Sequence, residues 1–182
     1  VNSTSEYITR DLNSGRFDFF CGGIAIPSRN IESESLLRKG SNGIEFFTTQ
    51  VLYDSEKINK MLKYYNEICD KNKVIPRRIL LSFAPVSSTK NINFLKWLGV
   101  EIPLKTEKRL ENENSNMTEE SLKIATEVLK NILESNEKNE IKVPVGLNVE
   151  HIMSYNFQHS INMLQELSKI YREFCIKTSL YD

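Results

Sequence analysis

The sequence has few of the residues that organise small secreted, metal-held or nucleic-acid-binding domains. Only three cysteines occur, Cys21, Cys69 and Cys175, odd in number, widely spaced and outside any C-x-x-C pair. This pattern signals neither a disulfide framework nor a zinc site, and a reducing cytoplasm is the expected compartment. Charge of one sign is not in excess: Lys+Arg 24 against Asp+Glu 24 gives 24 − 24 = 0, so no basic arm for nucleic acid is present. The longest apolar runs, such as Ile79 to Phe83, fall far short of the roughly 20 residues that a membrane helix requires. No charged-then-apolar leader opens the chain, and without one the triplets Asn2-Ser3-Thr4 and Asn116-Met117-Thr118 read as chance matches to the glycosylation pattern. The first residue is Val1, not Met, which raises the expectation of a processed or cut chain. What remains is 182 residues with 40% hydrophobic content, expected to form a single domain over 1–182 with one sizeable core.

Short apolar runs alternate with helical patterns, the sequence form of a βα series around a parallel sheet. Phe17 to Ile26 reads as a strand stopped by Pro27, which cannot donate to a ladder. Ile31 to Lys39 reads as a short helix. Ile44 to Val51 is the second strand and leads to a helix capped by Asp54 or Ser55. In that helix Ile58, Met61, Leu62, Tyr65, Ile68 and Cys69 recur at steps of three and four as one stripe. Arg78 to Ala84 is the third strand, continuously apolar at Ile79 to Leu81 as for a strand covered on both faces. Ile92, Phe94, Leu95 and Leu98 then form a helix with Gly99 at its C-terminal cap. A polar stretch, Lys105 to Asn116, precedes an extra helix capped by Thr118 and buried through Leu122, Ala125, Val128, Leu129, Ile132 and Leu133. Ile141 to Leu147 is the fourth strand, and a last helix carries Met153, Phe157, Ile161, Leu164, Leu167 and Tyr171 on one face.

Four βα units are too few for a closed (β/α)8 barrel, which runs to about 250 residues and rarely below about 200. The alternatives are a half or truncated barrel and an open doubly wound sheet. The second usually carries a Gly-rich turn after a strand. Gly22-Gly23 lies inside a strand and neither G-x-G-x-x-G nor a P-loop occurs, which favours the barrel type.

In such barrels functional residues sit just past the C-terminal ends of the strands, here Pro27 to Asn30, Thr48 to Asp54, Pro85 to Lys90 and Gly146 to His151. Gln50 offers two donors and an acceptor to a planar heterocycle, or ties two loops together. Arg38 and Lys39 reach a phosphate or complement the dipole at the end of their helix. Ser87, Ser88 and Thr89 bind an anion or cap the next helix. His151 and His159 are too far apart for an i, i+4 metal pair, and no metal site or catalytic constellation is assembled from these residues. Tyr64, Tyr65, Phe46 and Phe47 read as core or interface residues.

The segments GGIAIPSRN, GIEFFTTQVLYD, LLSFAPVSSTKNINFLKWLGVEIP and VGLNVE, in that order, resemble the methylenetetrahydrofolate reductase family. Thr49-Gln50 with Tyr53-Asp54, and Ala84-Pro85-Val86 with Trp97-Leu98-Gly99-Val100 and Ile102-Pro103, carry the resemblance together. It implies a flavin-dependent barrel that reduces the methylene bridge of 5,10-methylenetetrahydrofolate to a methyl group, with FAD as cofactor and NAD(P)H as reductant. By the same resemblance Gln50 contacts the pterin, Arg38 and Lys39 bind the FAD phosphates, Ile26 with Pro27 packs beside the flavin, and Asn30 lies near an FAD contact. The matched segments correspond to the later half of the barrel. The family's folate-activating acid and flavin-tuning aspartate belong to the earlier half, so no catalytic residue is assigned in this chain. Val149 stands where some bacterial members carry an arginine near the folate.

Two functional classes follow. One is the C-terminal half of a flavoenzyme completed by the missing units. The other is a non-catalytic half-barrel binding or scaffold protein that pairs with a second copy or with a partner supplying the N-terminal half. A folate-type or other pterin is the expected small-molecule partner in the first.

Overall fold

Proline and glycine punctuate the apolar runs, and each run between them becomes a short strand. A computed structural model describes residues 20–178. Val1, the Asn2-Ser3-Thr4 triplet and the first residues of the strand expected from Phe17 lie outside the described residues. The order is β1 (Gly22–Ala25), α1 (Glu32–Ser41), β2 (Phe46–Thr49), α2 (Glu56–Asn72), β3 (Arg78–Phe83), α3 (Thr89–Trp97), α4 (Leu104–Leu110), α5 (Met117–Lys138), β4 (Val145–Val149), a 3-10 turn (Ser154–Asn156) and α6 (Phe157–Lys177).

The four strands form one parallel sheet in the order β1-β2-β3-β4. Strand order that never reverses, joined by right-handed crossovers, places every crossover helix on the same face. The doubly wound alternative needs a reversal of order and is absent from these strands. The arrangement is an α/β fold of the kind found in part of a (β/α)8 barrel. Helix packing follows the strand order: α1 packs on α2, α2 on α5 and α5 on α6.

Burial separates the two faces of the sheet. Ala25, Phe47, Ile79, Leu81 and Phe83 are all completely buried, in one cluster with Leu36, Ile58, Leu62, Leu129, Ile132 and Leu167 from the helices. Alternate residues point the other way. On that second face Ile24 is 59% exposed, and Phe46, Thr48 and Leu80 are only half-buried. No helix of the described residues lies across it. Gly146 matters there, because a Cβ at this position would stand 2.7 Å from Leu80 Cδ2. Its missing side chain lets Leu80 lie flat over β4.

Several boundaries differ from the sequence reading. The fourth strand begins at Val145 and not Ile141. Glu140 takes a left-handed φ of 51°, Ile141 N–H closes α5 onto Asn136 O at 3.0 Å, and Pro144 has no N–H to give. The cap of α5 is Asn116, whose side chain accepts from the N–H of Thr118 and Glu119, so the helix starts one residue before Thr118. The polar stretch contains a further helix, α4. Only Leu110 of it is fully buried, and Arg109 anchors it with bidentate bonds to Glu120 and Glu127 of α5. Such a helix has no apolar stripe for periodicity to find. Asp54, not Ser55, serves the start of α2, its Oδ1 accepting Glu56 N–H at 2.8 Å. Gly99 follows α3 with φ of 82°, a conformation that glycine adopts freely.

Candidate functional site

Register brings the candidates together. Ala25 pairs with Thr49, Thr48 with Leu80, and Ser82 with Asn148. One residue further along, Ile26, Gln50, Ser82 and Asn148 therefore share a row across all four strands, on the face opposite the helices and at their C-terminal ends. Glu150 follows Asn148 by two residues, so its side chain leaves the same face one row above. Ile26 and Gln50 are sequence candidates, and the structure places them in this row. Ser82, Asn148 and Glu150 were not singled out from the sequence.

The row is hydrogen-bonded at its β3–β4 end. Asn148 Nδ2 donates to Ser82 Oγ at 3.0 Å, and Ser82 also hydrogen-bonds the Glu150 carboxyl. Glu150 N–H donates to Phe83 O at 2.8 Å, which extends the ladder past the end of β4. Gln50 Nε2 reaches Leu98 O at 3.4 Å, so the amide joins β2 to the end of α3. Its Oε1 takes no hydrogen bond from the described residues. The loop-tying alternative raised for Gln50 is thus seen in one half of its side chain, with an acceptor left over.

Glu150 is half-buried, and burial pushes its carboxyl above the usual carboxylate range against the opposing effect of the Ser82 bond. A carboxyl with a raised folded-state value binds its proton more tightly folded than unfolded. The stability from that proton is full below the ordinary glutamate value of about 4.3 and is lost as pH rises through the folded value. Glu150→Gln is therefore expected to be more stable than the parent near neutrality, with the difference closing below about pH 4; paired thermal melts across this range check it. Tyr53 is buried beside Glu150. Its phenol donates to Ala84 O at 3.2 Å, and burial, with the Glu150 charge, holds it well above the ordinary tyrosine value.

The loops around the row are locked to one another by a polar network. Ser87 Oγ meets Asn156 Oδ1 at 2.7 Å, Asn156 Nδ2 donates to Pro85 O and to Asn91 Oδ1, and Asn91 Nδ2 reaches Tyr155 Oη at 2.7 Å. The loop after β3 and the loop after β4 are thereby one unit. Ser87, offered as an anion binder, has its hydroxyl committed here. Ser88 occupies the N-cap of α3 without a side-chain cap bond.

The basic candidates lie elsewhere. Arg38 and Lys39 are in the last turn of α1, and Arg38 is exposed. Lys39 Nζ donates to Ile24 O at 2.8 Å and lies 3.4 Å from Glu32 Oε1. Glu32 is buried; it accepts Ile26 N–H at 3.2 Å and faces Arg29 at 3.9 Å. Cys21 O and Ala25 O accept from β2, so by alternation Ile24 O points to the other edge of β1. Lys39 thus closes that edge. Asn30 is exposed and lines a separate groove of about 310 Å³ with Arg29, Lys57 and Lys60. The structure does not bring Asn30, Arg38 and Lys39 into the row that holds Gln50. Among the described residues no group of three His, Cys, Asp or Glu side chains is placed to hold a metal ion, and no helix is long and apolar enough to cross a membrane.

Comparison with known proteins bears on this geometry. The sequence model of the family "Methylenetetrahydrofolate reductase" matches residues 17–177. No curated protein matches. Among solved structures, an uncharacterized protein from Clostridium thermocellum superposes with a TM-score of 0.77 at 22% identity, over 91% of this chain and 59% of that one. That protein is described as binding two copies of 5-methyl-5,6,7,8-tetrahydrofolic acid. At this identity the likeness is one of fold, and the chain spans about three fifths of its neighbour's length. The family match runs through all four strands and the polar row at their ends, and on it the chain belongs to the methylenetetrahydrofolate reductase family.

Proposed function

We propose that this chain supplies the later half of a reduced-folate site, with the pterin lying on the open sheet face against Gln50. The observation that carries the reading is the row Ile26, Gln50, Ser82 and Asn148, three of them polar, with Ser82 buried and the others half-buried, at the C-terminal strand ends where barrels of this type bind ligands. The Clostridium thermocellum neighbour, which shares the fold, is described as binding a reduced folate, and this supports the ligand class. Gln50 Oε1 is free to accept an N–H of the ring, and Ile26 offers an apolar side chain beside it. Gln50→Ala is expected to weaken binding of 5-methyltetrahydrofolate about tenfold, the worth of about 1.4 kcal/mol, as measured by calorimetric titration of the full chain. Unchanged affinity would overturn the placement of the pterin.

In this reading the whole enzyme is a flavin-dependent reductase that takes electrons from NAD(P)H. The donor set near the edge of β1 suits the diphosphate of FAD in sign: Arg29 and Lys39 flank the carboxylate of Glu32, and Arg38 adds an exposed guanidinium in the last turn of α1. Arg38, exposed, and Lys39, on giving up Ile24 O, would hold a phosphate. When bound, FAD would supply the hydride transfer that no side chain can perform. The residues of this chain hold and orient.

A second reading, the half-barrel scaffold that pairs with another chain, is favoured by one observation. Ile24 and Phe20 are 59% and 73% exposed, an apolar surface that in a barrel faces the opposite strands. Sedimentation of the purified chain distinguishes the two, a stable dimer being expected for self-pairing and a monomer counting against it.

A further inference from the structure

A second opening lies at the end of β4 away from the polar row. A cavity of about 580 Å³ sits between the C-terminal end of α5, the irregular segment that leads into β4 and the last turns of α6. Its walls are largely apolar. Val143, Val145 and Cys175 are buried, and Ile141 and Phe174 lie half-buried against the core. Tyr171 donates to Val145 O at 2.7 Å, which ties α6 to the strand and holds that wall in place.

One polar group in the lining is not explained by this packing. Asn136, on α5, is 7% exposed, and its Oδ1 is buried with no hydrogen-bond partner among the described residues. The main-chain oxygen of the same residue is used, taking Ile141 N–H at 3.0 Å, so only the side chain is left over. Asn136 follows Ile132 by four residues and Leu133 by three, where the buried stripe of α5 calls for an apolar side chain. A buried acceptor without a donor costs what an apolar residue of similar shape would not.

The chemistry that would complete the cavity follows from its lining. Arg78 and Lys142 stand against Glu137 and Glu140 at the mouth, all four exposed, and Lys142 and Glu137 are already paired with Asp70 and Lys177. Neither sign is in excess, so the mouth does not select an ion. A water meets one acceptor, but its share of liquid volume is about 30 Å³, and the apolar walls would stay wet. A neutral apolar body with one N–H or O–H donor meets both demands at once.

We propose that this cavity is an accessory binding site for a small neutral aromatic molecule that carries a single N–H or O–H donor, with Asn136 Oδ1 accepting from it. The inference is independent of the folate reading, because the cavity and the polar row lie at opposite ends of β4.

The test is a ligand-observed NMR titration of the full chain with two neutral probes of one shape: indole, which has a ring N–H, and 1-benzofuran, which has a ring oxygen in its place. The chain is expected to prefer indole by about tenfold, the difference between a met and an unmet buried acceptor. Asn136→Leu removes the acceptor, and its preference should fall to about twofold or less. Asn136→Asp keeps an acceptor oxygen and should keep the preference. A ratio of two probes on one protein sample does not depend on the fraction folded, so a destabilised variant stays informative. Binding of neither probe, equal binding of both, a preference that survives in Asn136→Leu or one that is lost in Asn136→Asp overturns the proposal. Displacement of indole by 5-methyltetrahydrofolate would place the probe in the polar row and would overturn it as well.

Discussion

Phe47→Ala lowers the stability of the fold by about 3–5 kcal/mol, the usual loss for a large core aromatic, read as a shift of the urea midpoint at unchanged slope. Phe47 sits at the centre of β2 with no exposed surface. Its ring fills the space beside Gly23, where a Cβ would come within 2.9 Å of it, and Lys39 Nζ lies 6.0 Å from its centroid. The alanine variant leaves a void bounded by the glycine strand on one side and α1 on the other. Neither neighbour can fill it, since Gly23 has no side chain and Leu36 is already completely buried. An overlapping midpoint would mean that β1 and α1 shift to close the gap, and that the sheet edge is softer than its packing indicates.

Asn156→Ala is expected to cost about 3 kcal/mol, because several buried polar groups lose partners at about 1 kcal/mol or more each. Asn156 is 2% exposed and bonds Ser87, Pro85 O and Asn91 at once. Alanine leaves Pro85 O and the Asn91 carboxamide without these bonds in a site closed to water. If the row is the reduced-folate site proposed above, the effect should also reach binding: the loops after β3 and β4 frame the row, and their loosening would weaken binding beyond what stability alone explains. Hydrogen exchange confined to residues 84–91 and 150–156 would locate the change. Faster exchange throughout the sheet would instead indicate general destabilisation.

Much of the architecture could be read from residue order, and the exceptions have physical causes. Ile79 to Leu81, flanked by Pro85, could be little other than a buried strand, and the stripe of Ile58, Met61, Leu62, Tyr65 and Cys69 marked its helix without ambiguity. The helix α4 had no such stripe because ion pairs to α5 hold it instead of an apolar face. The start of β4 was misplaced because Ile141 and Val143 pack on the core from an irregular segment, and burial without hydrogen-bond pairing looks like a strand in sequence. For the site, the strand-end rule reached Gln50, while Ile26 came from the family resemblance. The rule also reached the segment Gly146 to His151 but could not choose within it. Which of Leu147, Asn148, Val149 and Glu150 faces Gln50 depends on pairing register, a long-range property. Ser82 was hidden inside an apolar run, where a serine reads as a tolerated small residue. Alternation from Gly146, whose missing side chain admits Leu80 Cδ2, is a local signal that the sequence reading did not use and that leads to Asn148 and Glu150.

The grip of Lys39 on Ile24 O bears on the outer edge of β1. A bare strand edge is a template, and a second molecule can add to it and then a third, as in the growth of fibrils. Here the outward carbonyl of β1 is held by an ammonium that is itself tied to a buried carboxylate, so an arriving strand must first break an ion pair. Only a surface that offers Lys39 something better, such as a dense negative charge, removes that bolt. Any pairing at this edge and protection from aggregation would then depend on the same side chain in its two positions.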